Sequence, residues 1–281
     1  MTLSKHMTVG TTWVALGGSM GVGTLGGLIG LGGAEFRLPF LMGVFSLPPL
    51  KAIILNKALS LVVVSSALPF RSGAVPFSSV IGAWPILVNL LAGTLLGAWV
   101  GASGATRLPS RTLRHIIAGL LVGLAAVLLL SSRTETISLH LTDVTQVLAG
   151  IFAGFGIGCV ASLLGVAGGE LLIPTLVILF GADMHLAGSL SLAISLPTMV
   201  VGFVRYSYDQ SFAVLQNCRA LLSIMAIGSV AGTLLGGQLL GIVPRGLLGP
   251  LLAGILVISA VKLWHDRGKP RPVTLMEDRH V

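Results

Sequence analysis

The chain has 281 residues, 54% of them hydrophobic and only 9% charged, and its mean hydropathy is +0.98. A soluble domain is about one-quarter charged, so a water-soluble globule is excluded and lipid is the main solvent of this chain. The net charge of +8 does not point to nucleic acid. The basic residues sit between apolar runs and in the C-terminal tail, with no basic face interleaved with aromatics, and that is how membrane topology signals look.

The elements follow in chain order. Met1–Met7 is short, and the first apolar run lacks a small-residue cleavage site before a polar mature chain, so it reads as a retained membrane segment. Apolar runs near spanning length occur at about 10–30, 52–70, 77–102, 113–130, 146–165, 186–204, 214–241 and 246–264. A helix needs roughly 20 residues to cross a bilayer. Two further runs, 36–46 and 171–181, are about half that length. Barrel strands would alternate apolar and polar residues, whereas these runs are apolar on all faces. The fold class is therefore an all-α polytopic membrane protein.

The second half repeats the first. A shift of 135 carries Gly30, Gly33, Glu35, Pro39 and Ala52 onto Gly165, Gly168, Glu170, Pro174 and Ala187. Ala92-Gly93-Thr94-Leu95-Leu96-Gly97 recurs unchanged as Ala231-Gly232-Thr233-Leu234-Leu235-Gly236, and Pro109 and Ala118 answer Pro244 and Ala253. This predicts a first membrane repeat at 10–131, a connecting loop at 132–145, a second repeat at 146–264 and a polar tail at 265–281. Glycines spaced by four (Gly93, Gly97, Gly101; Gly150, Gly154, Gly158; Gly228, Gly232, Gly236) share a helix face and predict close helix contacts.

Counting Lys and Arg sets the topology. If only the eight long runs cross, Lys51, Lys57, Arg107, Arg111, Arg114 and Arg245 all face outward. If each short run instead folds back as a hairpin with the long run before it, Lys51, Lys57, Arg107, Arg111, Arg114, Arg205, Arg219 and the tail become cytoplasmic. The second arrangement obeys the positive-inside rule. It gives each repeat an odd number of crossings and so predicts two inverted repeats, each a glycine-interrupted hairpin plus about three spanning helices.

The candidate site lies in the duplicated glycine knots, Gly30–Gly33 and Gly165–Gly169. Irregular backbone at membrane depth survives where it is buried in protein or lines a polar cavity. A glycine turn before a helix start leaves N–H groups free for an anion. The substrate-binding candidates are Gly32, Gly33, Ala34, Glu35 and Arg37 in the first repeat and Gly168, Gly169 and Glu170 in the second. Asn56 and Lys57 join them, with Ser191 as the repeat counterpart of Asn56. Glu35 and Glu170 are two of only four glutamates. Each can cap the first turn of its short helix and also carry a coupling proton, the two roles being compatible, and an ionisable group inside the membrane favours the functional role. Lys57 reads equally as a snorkelling interface cation or as a contact for an anionic substrate. Arg71 and Arg205 end equivalent helices and read as headgroup anchors.

His115, His140 and His185 have no ligand spacing with cysteine or carboxylate, so no metal or other cofactor is expected. Cys159 and Cys218 imply no disulfide framework. No serine–histidine–acid or paired-aspartate constellation is present, and an enzyme is not expected.

The knot Gly-x-Gly-Gly-x-Glu-x-x-x-Pro, duplicated, and the stretch Ala52 to Lys57 resemble the sulfite exporter TauE/SafE family of membrane permeases over about residues 12–264. The resemblance implies a multi-pass transporter in a bacterial cytoplasmic (inner) membrane, moving sulfite or an organosulfonate. The chain departs from the commonest pattern of that family: Ala34 and Ala167 interrupt the glycine triplets, and Glu35 and Glu170 stand where many relatives carry an apolar residue. The expected function is secondary transport of a small anion, coupled to protons through the two glutamates. The expected partners are that anion and the lipid bilayer, and a homo-oligomer is compatible with the sequence. Two alternatives stay open, a cation or metal permease using the glutamates as ligands and a non-transporting membrane anchor subunit.

Overall fold

A computed structural model describes residues 9–29, 33–71, 82–131, 143–239 and 245–265. Gly30 to Gly32 of the first knot, the connecting loop at 132–142 and the tail at 266–281 lie outside the described residues. Every regular element among the described residues is helical: α1 (Val9–Ile29), α2 (Ala34–Gly43), α3 (Pro49–Arg71), α4 (Trp84–Arg107), α5 (Ser110–Ser131), α6 (Asp143–Leu164), α7 (Gly169–Phe180) and α8 (Met184–Ser207), then a 3₁₀ turn (Gln210–Ala213), α9 (Val214–Asn217), α10 (Arg219–Leu239) and α11 (Arg245–His265). Six of them, α3, α4, α5, α6, α8 and α10, are long and apolar enough to cross a membrane, against the eight runs counted in the sequence. The run expected at 214–241 is broken near Cys218, so that its spanning helix starts at Arg219. The short runs form the short helices α2 and α7. The outer surface carries large apolar side chains such as Trp13, Leu96, Phe152 and Ile227, while Glu35, Arg37, Asn56, Lys57 and Thr94 lie inside. That inversion of the soluble pattern is what lipid as solvent requires.

The duplication is visible in the backbone. Helix starts at 34, 49 and 84 recur at 169, 184 and 219, each shifted by 135, and the helix end at 29 recurs at 164. Left-handed backbone recurs with them, at Gly33 and Gly168 and again at Ser46 and Gly181. The contacts obey a pseudo-two-fold exchange: α4 packs along α6 as α10 packs along α1, α4 meets α8 as α10 meets α3, and α2 meets α11 as α7 meets α5.

The exchange reaches single residues. A Cβ on Gly93 would strike the Ile151 carbonyl oxygen and one on Gly97 that of Phe155. Their mates Gly228 and Gly232 face the carbonyls of Leu16 and Met20, 135 positions earlier. The glycine faces are therefore helix contacts, as the spacing predicted. The identical hexapeptides are one helical turn out of this register. Packing pairs Gly93 with Gly228, whereas the letters pair it with Gly232. Glycines every four residues allow both readings, and only the neighbouring backbone distinguishes them.

Contacts also give helix directions. Gly93, Gly97 and Gly101 meet Ile151, Phe155 and Cys159 in step, so α4 and α6 run parallel. Thr94 meets Thr198 and Ser103 meets Arg205, so α4 and α8 run parallel too. Helices α6 and α8 therefore point the same way, and α7 between them runs back. Lys57, in the first half of α3, packs against Gly202, near the end of α8. Lys51 acts electrostatically on Cys218, just beyond that end. The first half of α3 thus meets the end of its repeat-equivalent helix α8. One end of the bundle gathers the basic residues: Lys51 lies near Cys218, Arg205 bonds to Ser103, and His115 packs edge-on against Trp264 at 4.7 Å, two residues from Lys262.

Candidate functional site

The two knots are built by glycine. Gly33 (φ 67°) and Gly168 (φ 80°) are left-handed N-caps of α2 and α7, a conformation that costs an L-residue about 1–2 kcal/mol. Neither cap offers a side-chain hydrogen bond to its helix, so the first-turn N–H groups are left for other partners. A Cβ on Gly33 would also strike the Val22 carbonyl oxygen. On Gly168 it would meet only side-chain carbons of Ala161 (3.2 Å) and Ile157 (3.3 Å). Gly33→Ala is therefore expected to destabilise the protein more than Gly168→Ala, about 3 kcal/mol against about 1–2 kcal/mol, measured by thermal unfolding in detergent.

Each short helix brings its glutamate into the interior one residue after the start. Glu35 is 0% exposed and Glu170 is 5% exposed, and their carboxyl groups act on each other electrostatically. Arg37, also fully buried, acts on Glu35. Arg37 stands two residues after Glu35 in α2, and the fold encloses both side chains. No hydroxyl, amide or cationic side chain among the described residues bonds to the Glu35 oxygens; the carboxyl lies within hydrogen-bonding reach of the Glu170 carboxyl. First-turn position favours a carboxylate through the helix dipole. That accounts for where the glutamates stand in their helices but not for their facing each other across the repeats.

Asn56 joins the two knots. Its Nδ2 donates to the Ala34 carbonyl (2.9 Å) at the first knot and to the Leu164 carbonyl (3.0 Å) at the second, and its Oδ1 is buried without a partner among the described residues. Lys57 is fully buried, which removes the snorkelling reading. Its ammonium donates to Ser162 Oγ (3.3 Å) and the Ala161 carbonyl (3.4 Å) at the end of α6. Lys57 therefore lies beside the second knot, with its hydrogen bonds directed to α6. Gly169 is buried as the first residue of α7. Ser191 is buried but bonds within its own helix, to the Gly188 carbonyl (2.9 Å), and does not reproduce the bridge made by Asn56. Gly32 lies outside the described residues.

The sequence reading missed several polar members of this interior. Ser60 Oγ lies 3.2 Å from the Gly165 carbonyl, Tyr206 donates to the Ser162 carbonyl at 2.9 Å, and Thr198 donates to Thr94 Oγ1 at 2.9 Å. Ser60 stands one turn after Asn56, and that spacing is the signal that could have found it. Arg205 is more than a headgroup anchor: its Nε donates to Ser103 Oγ at 2.7 Å and its guanidinium lies 5.8 Å from the Trp99 ring centre. No group of three or more histidine, cysteine, aspartate or glutamate side chains able to hold a metal occurs among the described residues.

A family model described as Sulfite exporter TauE/SafE matches residues 14–263. No curated protein and no solved structure matches the chain.

Proposed function

The chain belongs to the sulfite exporter TauE/SafE family and so to a family of membrane transporters, and from that premise we propose that it carries a small anion, sulfite or an organosulfonate, across a bacterial cytoplasmic membrane with proton coupling. The observation that carries this reading is the pair of buried carboxylates, Glu35 and Glu170, brought together from equivalent half-helix N-termini. Two helix N-termini offer N–H groups to an oxyanion, and Arg37 adds a buried cation. The carboxylates would repel that anion unless a proton accompanied it, and this links anion movement to proton movement. The meeting of the first half of α3 with the end of α8 supports two repeats inverted in the membrane, with the knots near the midplane.

The test is flux of sulfite and of short alkyl sulfonates in reconstituted vesicles, with and without a pH gradient. The reading expects saturable anion flux that the gradient accelerates. No flux of any of these anions would sink it. Two buried carboxyl groups side by side favour a cation permease as the second reading, which expects divalent-cation flux in the same vesicles.

The topology has its own check. Cysteines placed singly at Thr142 and Arg245 should react with an impermeant maleimide on intact cells. One at Arg111 should react only after permeabilisation. The reverse pattern would remove the inverted arrangement.

A further inference from the structure

The interior is polar on one side of the pseudo-two-fold and not on the other. In the first repeat, α3 carries Asn56, Lys57 and Ser60. Asn56 and Lys57 reach the end of α6, through the Leu164 carbonyl (3.0 Å), the Ala161 carbonyl (3.4 Å) and Ser162 Oγ (3.3 Å), and Ser60 Oγ, which donates to the Asn56 carbonyl of its own helix at 2.8 Å, also lies 3.2 Å from the Gly165 carbonyl. The Gly165 turn fits closely against α3 as well, for a Cβ there would lie 2.5 Å from the Ile53 carbonyl oxygen. Their two-fold mates on α8 are Ser191, Leu192 and Ser195. Ser191 bonds inside its own helix. Leu192 cannot donate. Ser195 Oγ is buried without a partner among the described residues.

A buried hydroxyl without a partner carries a desolvation cost of about 1–3 kcal/mol. Ser60 finds acceptors both in its own helix and in the second knot, while its mate Ser195 has neither among the described residues, and α3 alone carries the Asn56 and Lys57 contacts, which is what a two-state element looks like when caught in one state. Inverted repeats exchange equivalent contacts when a transporter moves its access from one face to the other. The satisfied contacts lie between the second knot and the end of the bundle where Lys51 and Arg205 stand, because Lys57 shares Ser162 with Tyr206 near the end of α8.

We propose that Asn56, Lys57 and Ser60 form a polar latch between α3 and the end of α6 that closes the basic face of the bundle, and that Ser195 is the gate hydroxyl that is satisfied when the latch opens. The inference rests on the transporter reading, and it assigns these residues to the access step rather than to substrate contact. Lys57 has no counterpart on α8, so the latch is the stronger of the two gates. The unloaded protein therefore rests with its basic face shut.

The test needs no substrate. In a chain with Cys159 and Cys218 replaced by alanine, a reporter cysteine replaces Val166, a buried residue in the second knot, and its reaction with an impermeant thiol reagent is timed from the basic side. Lys57→Leu, which removes both ammonium contacts with α6, is expected to speed labelling roughly tenfold. The double change Asn56→Ser, Lys57→Leu, which gives the first repeat the residues of the second, is expected to speed it at least as much. Ser195→Ala is expected to slow labelling, since it removes a group satisfied only in the open state. A merely structural role predicts that Lys57→Leu and Ser195→Ala move labelling in the same direction. That outcome, or no change in either, overturns the latch. Anion flux measured in parallel separates the two readings: opposed labelling shifts without any flux sink the anion reading and leave the latch, while flux with unmoved labelling sinks the latch alone. A reporter at Leu164, also buried, repeats the measurement if the Val166 variant does not elute as a single species from size exclusion.

Discussion

Glu35→Gln and Glu170→Gln are each expected to lower anion flux at least about tenfold and to flatten its response to a pH gradient. Both side chains lie inside the bundle, and each is the other's electrostatic neighbour. Glutamine keeps the shape and removes the charge, so the loss measures proton handling rather than packing. The double variant is expected to be little worse than either single one, because groups that act as a unit are not additive. Flux in reconstituted vesicles at several imposed gradients checks all three. Transport at the parental rate with the gradient response intact would remove the glutamates from the coupling step.

The second large effect falls far from the glutamates, on packing alone. Gly97→Leu is expected to cost about 3 kcal/mol or more, since its Cβ would strike the Phe155 carbonyl oxygen, a backbone atom that no side-chain rotation can move. Gly232→Leu, its two-fold mate, would strike the Met20 carbonyl oxygen and should cost about as much. Gly104→Leu, in the same helix as Gly97 but with open space around its Cβ, should remain close to the parent. Thermal unfolding in detergent, followed by size exclusion, distinguishes them. Equal behaviour of Gly97→Leu and Gly104→Leu would mean that the α4–α6 contact is not as close as described.

Much of the architecture was legible because glycine and charge are local signals. A glycine pair followed by a carboxylate marks a helix start, and both α2 and α7 begin there. Glycines four apart mark a contact face, and α4 and α10 use it. The site was less legible. Asn56 bonds across 108 positions of sequence to Leu164, and nothing in the periodicity of α3 points to that partner. Lys57 read equally as a surface cation, because apolar residues surround it in sequence whether its tip faces lipid headgroups or the interior. The hexapeptide repeat was misleading in register by one turn, since a four-residue spacing matches itself when slid by four.

The sequence by itself determined the solvent, the helical class, the duplication and the two polar knots. Those follow from composition and from spacing along one chain, where a helix fixes which residues share a face. Only the tertiary structure decided that α4 packs on α6 as α10 packs on α1, that Glu35 meets Glu170, and that Asn56, Lys57 and Ser60 reach one end of the bundle while Ser195 is left without a partner. The physical reason is that these spanning helices are apolar all round. A helix in water declares its buried face by its polar one, whereas a helix in lipid has no such mark, and its partner is chosen by fit between backbones and by a few hydrogen bonds made across the fold.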